Sequence, residues 1–300
     1  MSKTVNKSKI RKNKEDWILD TIIYVFAFFV LFITIYPFYY VVILSFNEGM
    51  DANMGGIYWF PRKFTLENYA KFFHDLSWLR AAAVTIGRTG LGTICTVLFT
   101  AVVAYGMSFK DLVGRKSYMK YFIVCMYFSG GIIPYYMLLK TLGLLNSFWV
   151  YVIPSMLSIF YITIGRGFYE GIPTSLRESA LIDGASELQI FVRIIMPISK
   201  PFLATLALFT SVGHWNNWYD STFFVKDQEL VTLPYKMLAV INTNSVTAND
   251  MNAAGHAAST TTSISVQLAA LVISVVPIIC VYPFLQKYFV TGLMIGAVKE

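Results

Sequence analysis

Long apolar runs separated by short polar turns dominate this chain of 300 residues. A helix crosses a hydrocarbon core of about 30 Å with about 20 apolar residues. Six runs are long enough, and they cover residues 17–46, 81–109, 118–142, 147–168, 201–224 and 264–290. Lipid offers no partner for unpaired backbone groups, and the runs lack the alternation of barrel strands. The pattern therefore predicts an all-α, multi-pass membrane protein with six transmembrane helices.

The composition agrees with this prediction. Hydrophobic residues make up 56% of the chain and charged residues only 14%, whereas a soluble domain carries about 25% charged residues. The first apolar run is too long for the core of a cleavable signal peptide, so we expect it to be retained. The predicted organisation is a basic tail at 1–16 and a single transmembrane domain at 17–300.

The distribution of Lys and Arg predicts the orientation. Residues 1–16 contain six of these cations, residues 110–120 contain four, and the loop at about 170–200 adds more. Because short cytoplasmic segments are enriched in Lys and Arg, both termini and this loop are predicted to be cytoplasmic. Membrane orientation accounts for the net charge of +7, so no nucleic-acid partner is expected.

Candidate chemistry is sparse. The three cysteines lie in apolar runs without paired spacing, and the three histidines are far apart in the sequence. The glycine-rich run at 87–92 lacks the lysine of a phosphate-binding loop. We therefore expect no catalytic residue, no metal site and no cofactor in this chain.

The polar loop at about 170–200 has its own local pattern. Pro173 ends one helix, and Thr174 or Ser175 can cap the next. Apolar residues then recur at helical spacing on both sides of Gly184, which supplies the backbone freedom for a sharp break. Pro197 ends the second helix. The loop is predicted to be a helix, a glycine elbow and a second helix, a pattern typical of an interfacial element or a docking site.

The residues of this loop resemble the Glu-Ala-Ala loop of permease subunits of binding-protein-dependent ABC importers. The likeness rests on Glu178-Ser-Ala180, Asp183-Gly-Ala185, Phe191 and Ile195-Met-Pro197. In that family the loop holds a coupling helix that lies in a groove of a cytoplasmic ATPase subunit. The resemblance implies that the ATPase-coupling residues are Glu178, Ser179, Ala180, Asp183 and Gly184, with Ser179 standing where alanine is commonest.

Further motifs are similar to carbohydrate-importer permeases, most of all to the subgroup associated with complex or acidic oligosaccharides. These motifs lie at 128–134, 143–146, 214–220 and 282–290. The resemblance implies a type I ABC importer permease fold in the cell membrane, working by alternating access. It also implies several partners: a second, homologous permease in a heterodimer, two ATPase subunits that bind ATP and Mg, an extracytoplasmic solute-binding protein, an oligosaccharide substrate and membrane lipid. The chain itself is not expected to be an enzyme.

One short segment combines flat aromatic surfaces with amides and a carboxylate, the groups that sugars require. The substrate-pathway candidates are Trp215, Asn216, Asn217, Trp218, Tyr219 and Asp220. On a continuous helix, the three aromatic residues share one face and the three polar residues lie mostly on another. Asn216 and Asp220 are the preferred pathway residues. The alternative is an aromatic belt at the membrane interface, with the amides capping the span.

The segment at 128–134 is a second candidate, because two glycines and a proline interrupt helical hydrogen bonding there. Substrate contact and a packing kink are both open for it. Arg88, within the second run, is expected to be a snorkelling or helix-paired structural residue. The stretch at 242–262 is predicted to be a solvated loop or a lid. The open alternatives for function are a permease for a non-sugar solute such as a peptide, and an ion-coupled carrier or channel.

Overall fold

The computed structural model describes residues 14–240 and 263–297. This part of the chain is helical and has no strand beyond one isolated pairing of Asn47 with Phe64. Two helices are by themselves long and apolar enough to cross a membrane, α1 (Lys14–Ser45) and α4 (Leu76–Ser108). Two short helices lie between them, α2 (Gly49–Asn53) and α3 (Glu67–His74). The all-α prediction is confirmed.

The middle of the chain consists of broken helices. Helix α5 (Arg115–Tyr127) meets α6 (Ile132–Thr141) at a bend of 115°. Two 3₁₀ turns within Phe148–Met156 then lead at 42° into α7 (Ile159–Glu170). The described part holds up to five spans if each bent pair is one span.

The polar loop and the last part of the chain follow. Helices α8 (Thr174–Ile182), α9 (Glu187–Ile190) and α10 (Met196–Ile198) form the loop, with a π-helical turn between α9 and α10. The chain then bends by 78° into the next helix. The remaining helices are α11 (Lys200–Asn216), α12 (Tyr219–Phe224), α13 (233–240) and α14 (Ser263–Ala297).

The runs predicted at 118–142, 147–168 and 201–224 are each divided by a break. The first break falls at the interruption predicted for 128–134, and the other two were not predicted. At the first break, Gly131 has a φ of 83°, which favours glycine. At the second, Pro154 begins a 3₁₀ turn before α7. At the third, Asn217 is extended, with a φ of −79° and a ψ of 113°. The run predicted at 264–290 lies within the single helix α14.

Helix α4 is the centre of the fold and packs against α7 and α11. Ala101 and Ala104 are fully buried at one end of α4, where small side chains let the helices approach closely. Gly92, near the middle of α4, also allows a close approach, because a Cβ added there would lie 2.5 Å from the His214 ring. This close approach places His214, at the end of α11, directly against α4.

Ion pairs show which segments share an end of the bundle. At one end, Arg115 and Arg166 both pair with Glu170, which brings the turn after α4 next to the polar loop. At the other end, Arg80 pairs with Glu229. The two described segments rich in cations therefore lie at one end, as the orientation prediction requires. The tail residues 1–13 and the predicted lid at 242–262 lie outside the described residues.

Candidate coupling loop and translocation cleft

The predicted glycine elbow is confirmed in the polar loop. Helix α8 ends in a Schellman motif, in which the Ala185 amide donates to the Ala180 carbonyl (2.9 Å) and the Gly184 amide to the Leu181 carbonyl (3.0 Å). Gly184 has a φ of 82°, the left-handed conformation that this motif requires. Helix α9 then begins with a capping box formed by Ser186 and Gln189.

One face of the loop is anchored to the helical bundle. Ala180 is buried in a cluster with Ala101 and Ala104 of α4, and with Ile162 and Tyr169 of α7. The chain beyond the elbow joins the same cluster through Ile190, Phe191 and Ile195. Of the predicted coupling residues, Ala180 therefore anchors the loop to the bundle.

The opposite face of the loop is exposed. It contains the other predicted coupling residues, Glu178, Ser179, Asp183 and Gly184. Two large apolar side chains flank the elbow on this surface, Ile182 at 86% exposure and Leu188 at 71%. The surface thus combines carboxylates with apolar side chains that nothing in the described chain covers.

A second feature lies inside the bundle, where α4, α6, α7, α11 and α12 surround a cleft of about 330 Å³. We call it the polar cleft. Its lining includes Arg88, Tyr135, Ser155, Tyr161, His214 and Asp220. Hydroxyl, amide and charged groups face this space although its surroundings are strongly apolar. Polar side chains at such a depth are costly against lipid and are typical of a watery pathway or a partnered site.

Arg88 is the largest fully buried side chain of the described residues, at 1% exposure. Its guanidinium forms an ion pair with Asp220, which is 22% exposed. Its Nη1 donates to the Asn217 carbonyl (3.1 Å), and its Nε faces His214 Nδ1 at 3.5 Å. The Tyr151 ring covers the guanidinium, with Cζ 4.7 Å from the ring centroid. The protein itself therefore surrounds this buried cation, which leaves the Asp220 carboxylate as the more accessible partner.

These contacts explain why the chain can break between α11 and α12. The break frees the Asn217 carbonyl, which accepts hydrogen bonds from Arg88 and, at 3.4 Å, from the Thr232 hydroxyl. The Asn217 side chain in turn accepts from the Asp220 amide (3.1 Å). Irregular backbone inside a membrane is tolerated only where protein or a cavity satisfies it. Here the freed Asn217 carbonyl accepts from Arg88, and the Asn217 side chain accepts from the Asp220 amide, so the backbone at the break has hydrogen-bond partners.

A second opening adjoins the first. It has a volume of about 450 Å³ and is lined by Ser129, Gly130, Gly131, Pro134, Tyr135 and Tyr219. We call it the aromatic cleft. Tyr135 lines both clefts, so they share a wall. The break at Gly131 and the aromatic segment at 218–219, two separate candidates in the sequence, are therefore brought to one place.

The break separates the six pathway candidates. Asn217 and Asp220 line the polar cleft, and Tyr219 lines the aromatic cleft. Trp215 points elsewhere, because its Nε1 donates to the Ser274 carbonyl of α14 (3.0 Å). Asn216 is exposed and donates to the Val212 carbonyl of its own helix (3.1 Å). Trp218 is also exposed, and its ring meets the Tyr219 ring edge to face, with centroids 6.2 Å apart.

The predicted division into one aromatic face and one polar face is therefore wrong. It assumed a continuous helix, and the extended conformation of Asn217 turns the following residues to a new direction. Arg88 and His214 line the polar cleft, and the Tyr151 ring packs on the Arg88 guanidinium. None of these residues was predicted as a site residue. An arginine and an aspartate within apolar runs were the available signal, but their pairing spans 132 residues of sequence.

The described residues contain no group of three or more His, Cys, Asp or Glu side chains arranged to hold a metal ion. The two clefts offer hydrogen-bonding groups and aromatic surfaces.

No family model matches the chain. Individual proteins and a solved structure do match it. Protein LplC of Bacillus subtilis is 37% identical over 267 residues, which cover 89% of this chain and 90% of LplC. The polygalacturonan/rhamnogalacturonan transport system permease protein YtcP of the same organism is 32% identical over 282 residues, which cover 94% of this chain and 98% of YtcP.

A solved structure matches as well. It is the crystal structure of a bacterial ABC transporter involved in the import of the acidic polysaccharide alginate, with a TM-score of 0.84 and 26% identity. The match covers 94% of this chain and 100% of that chain. Sequence identity and near-complete coverage of both chains agree. The chain therefore belongs to the family of permease subunits of carbohydrate-type, binding-protein-dependent ABC importers.

Proposed function

We propose that this chain forms one transmembrane half of an importer that carries an oligosaccharide across the cytoplasmic membrane. The polar and aromatic clefts contact the sugar on its way, and the elbow of the polar loop docks on an ATPase subunit. Both termini and the loop face the cytoplasm in this proposal. The other half is a second, homologous permease, and an extracytoplasmic solute-binding protein delivers the sugar.

The observation that carries the docking role is the two-sided polar loop. Ala180 is buried against α4 and α7, while Ile182 and Leu188 stay exposed on either side of the elbow. Exposed apolar side chains around a rigid turn suit a groove on a cytoplasmic partner, since water covers them otherwise. Two ATPase subunits, which bind ATP and Mg, would supply that groove for the two permeases.

The substrate class is supported by the site and by the relatives together. Tyr135 and Tyr219 offer flat surfaces for the C–H faces of a sugar, and the Asp220 carboxylate accepts hydrogen bonds from hydroxyls. The name of YtcP refers to the transport of polygalacturonan and rhamnogalacturonan, and the names of two permeases called AraQ refer to the transport of arabinooligosaccharides. A peptide or another solute lacks this support.

ATP binding favours one orientation of the two halves, and hydrolysis allows the return. A ligand shifts such an equilibrium only by its difference in affinity for the two states. Each orientation would open the clefts to a different side of the membrane. The chain needs no catalytic residue for this work.

Affinity purification from mild-detergent extracts of the native membranes tests the assembly. We expect a second permease and an ATPase to remain bound, and a sugar-binding protein to be captured with them. Repeated recovery of this chain alone would contradict the proposal. The captured binding protein is then tested with a panel of oligogalacturonides, arabino-oligosaccharides and alginate oligomers, together with short peptides as the alternative class.

A further inference from the structure

Two side chains ten residues apart close the elbow of the polar loop. Arg177 lies on α8 and Glu187 begins α9, on opposite sides of Gly184. The Arg177 Nε donates to Glu187 Oε1 (2.9 Å) and Oε2 (3.2 Å), and its Nη2 donates to Oε1 as well. Two contacts fix both the distance between the guanidinium and the carboxylate and their relative orientation. A single contact from a lysine would fix only the distance. The hydrogen bond that Arg177 donates to Glu187 also raises the pKa of Arg177.

The same guanidinium reaches a third element. Its Cζ lies 4.7 Å from the centroid of the Phe109 ring, and Phe109 is the residue that ends α4. Phe109 packs on Tyr105, which in turn packs on Phe191 beyond the elbow, with ring centroids 4.8 Å and 5.0 Å apart. Arg177 therefore joins α8, α9 and the end of α4 at one point.

We propose that Arg177 and Glu187 are positioning residues that brace the elbow, so that α8, α9 and α4 move as one body when the ATPase groove moves. This inference rests on the proposed docking role of the loop. Without the brace, α8 is held by the turn at Gly184, where rotation is least restricted, and by the small buried side chain of Ala180.

Helix α4 connects the brace to the polar cleft. Arg88 lies on the same helix as Phe109 and holds the break at Asn217 beside the polar cleft. A helix rises 1.5 Å per residue, so α4 carries movement over about 30 Å from the brace to Arg88. A continuous helix is a stiff connection, and α4 is one of the two described helices that are by themselves long and apolar enough to cross a membrane.

The test uses the assembled transporter in proteoliposomes and needs no sugar. The three native cysteines are replaced, and a reporter is introduced as Leu138→Cys, at an exposed position in the aromatic cleft. The rate of maleimide labelling is measured without nucleotide and after trapping ATP with vanadate. ATP hydrolysis is measured on the same samples. The brace variants are Arg177→Gln, Glu187→Gln and the double variant. Arg193→Gln is the control, because it removes another exposed arginine of this loop.

With the brace intact, trapped ATP changes the labelling rate. Each brace variant reduces that change by about two- to fivefold, the range expected for a partly exposed ion pair. The double variant reduces the change in labelling rate no further than either single variant, because the two residues act through one contact. Arg177→Lys keeps the charge but not the two-point geometry, and gives an intermediate response. ATP hydrolysis stays within about twofold of that of the parent.

Two results overturn the brace. One is an unchanged response in both single variants. The other is additive loss in the double variant, which would mean that each residue contacts the ATPase independently. Arg177→Lys and Glu187→Asp serve the same comparison if a glutamine variant fails to assemble. A reporter that ignores trapped ATP with the brace intact contradicts the docking role itself, and this outcome differs from failure of the brace alone.

Discussion

Arg88 of α4 and Asp220 of α12 form a buried ion pair across the break between α11 and α12. The same arginine donates to the free carbonyl of Asn217, so one side chain satisfies both the charge and the irregular backbone. Removing one partner of a buried pair leaves an uncompensated charge, which is far costlier than never having had the pair. The pair therefore connects the stability of the permease with the shape of its cleft.

The first prediction concerns this pair. Arg88→Met leaves Asp220 without its ion-pair partner and removes one of the two hydrogen bonds to the Asn217 carbonyl. We expect it to destabilise the complex by about 3–5 kcal/mol. Arg80→Gln is the control, because Arg80 lies on the same helix but forms an exposed pair with Glu229. The control should cost less than about 1 kcal/mol. Thermal unfolding of the two purified complexes in detergent measures the difference, and equal unfolding midpoints would show that the buried pair is dispensable.

The second prediction tests the contact between α4 and α11. A methyl group at Gly92 would lie within 2.6 Å of His214 Nε2, whereas one at Gly90 meets nothing within 4 Å. We expect Gly92→Ala to lower stability by about 1–3 kcal/mol through overpacking. Gly90→Ala should raise stability slightly, because alanine favours a helix. Thermal unfolding compares the two on the same helix. A neutral Gly92→Ala would mean that His214 does not press on α4.

The third prediction concerns the elbow. Gly184 has nothing within 4 Å of an added Cβ, so any effect of substitution comes from its φ of 82° and not from a clash. Asparagine accepts the left-handed conformation far better than valine, for which it costs about 1–2 kcal/mol. Gly184→Val should therefore lose transport and sugar-stimulated ATP hydrolysis with insertion intact, while Gly184→Asn retains most of both. Both activities are measured in proteoliposomes, and normal transport by Gly184→Val would contradict the coupling role.

The fourth prediction separates the pathway candidates. Tyr219 lines the aromatic cleft, whereas Asn216 is exposed and hydrogen-bonded within its own helix. Tyr219→Ala should lower the uptake of a labelled oligogalacturonide by about tenfold, because aromatic surface stacked on a sugar is lost. Asn216→Ala should transport like the parent. The reverse order of effects would support the original preference for Asn216 and place the pathway outside the aromatic cleft.

The sequence predicted features that depend on local chemistry. The elbow at Gly184 followed from apolar spacing on both sides of a glycine, and its φ of 82° bears this out. The interruption at 128–134 was likewise visible from two glycines and a proline. Helical class and family were readable because long apolar runs and the loop motif are contiguous in sequence.

Features that depend on distant partners were missed. Nothing in the residues around Asn217 demands a break, since neither asparagine nor tryptophan ends a helix as proline does. The break persists because Arg88, 129 residues away in sequence, satisfies the freed carbonyl. Without that partner, the continuous helix assumed for 201–224 was the reasonable expectation, and it gave the wrong faces for Trp218, Tyr219 and Asp220 relative to Trp215 and Asn216.

ATP-driven uptake by the reconstituted complex tests the central claim most directly. The permease is incorporated into proteoliposomes with its captured partners, and uptake of the sugar that the binding protein selects is followed with all ion gradients collapsed. We predict uptake that requires ATP, continues without any gradient and stops in Gly184→Val. Uptake that follows an imposed ion gradient and is indifferent to ATP would contradict the account and identify the chain as a carrier.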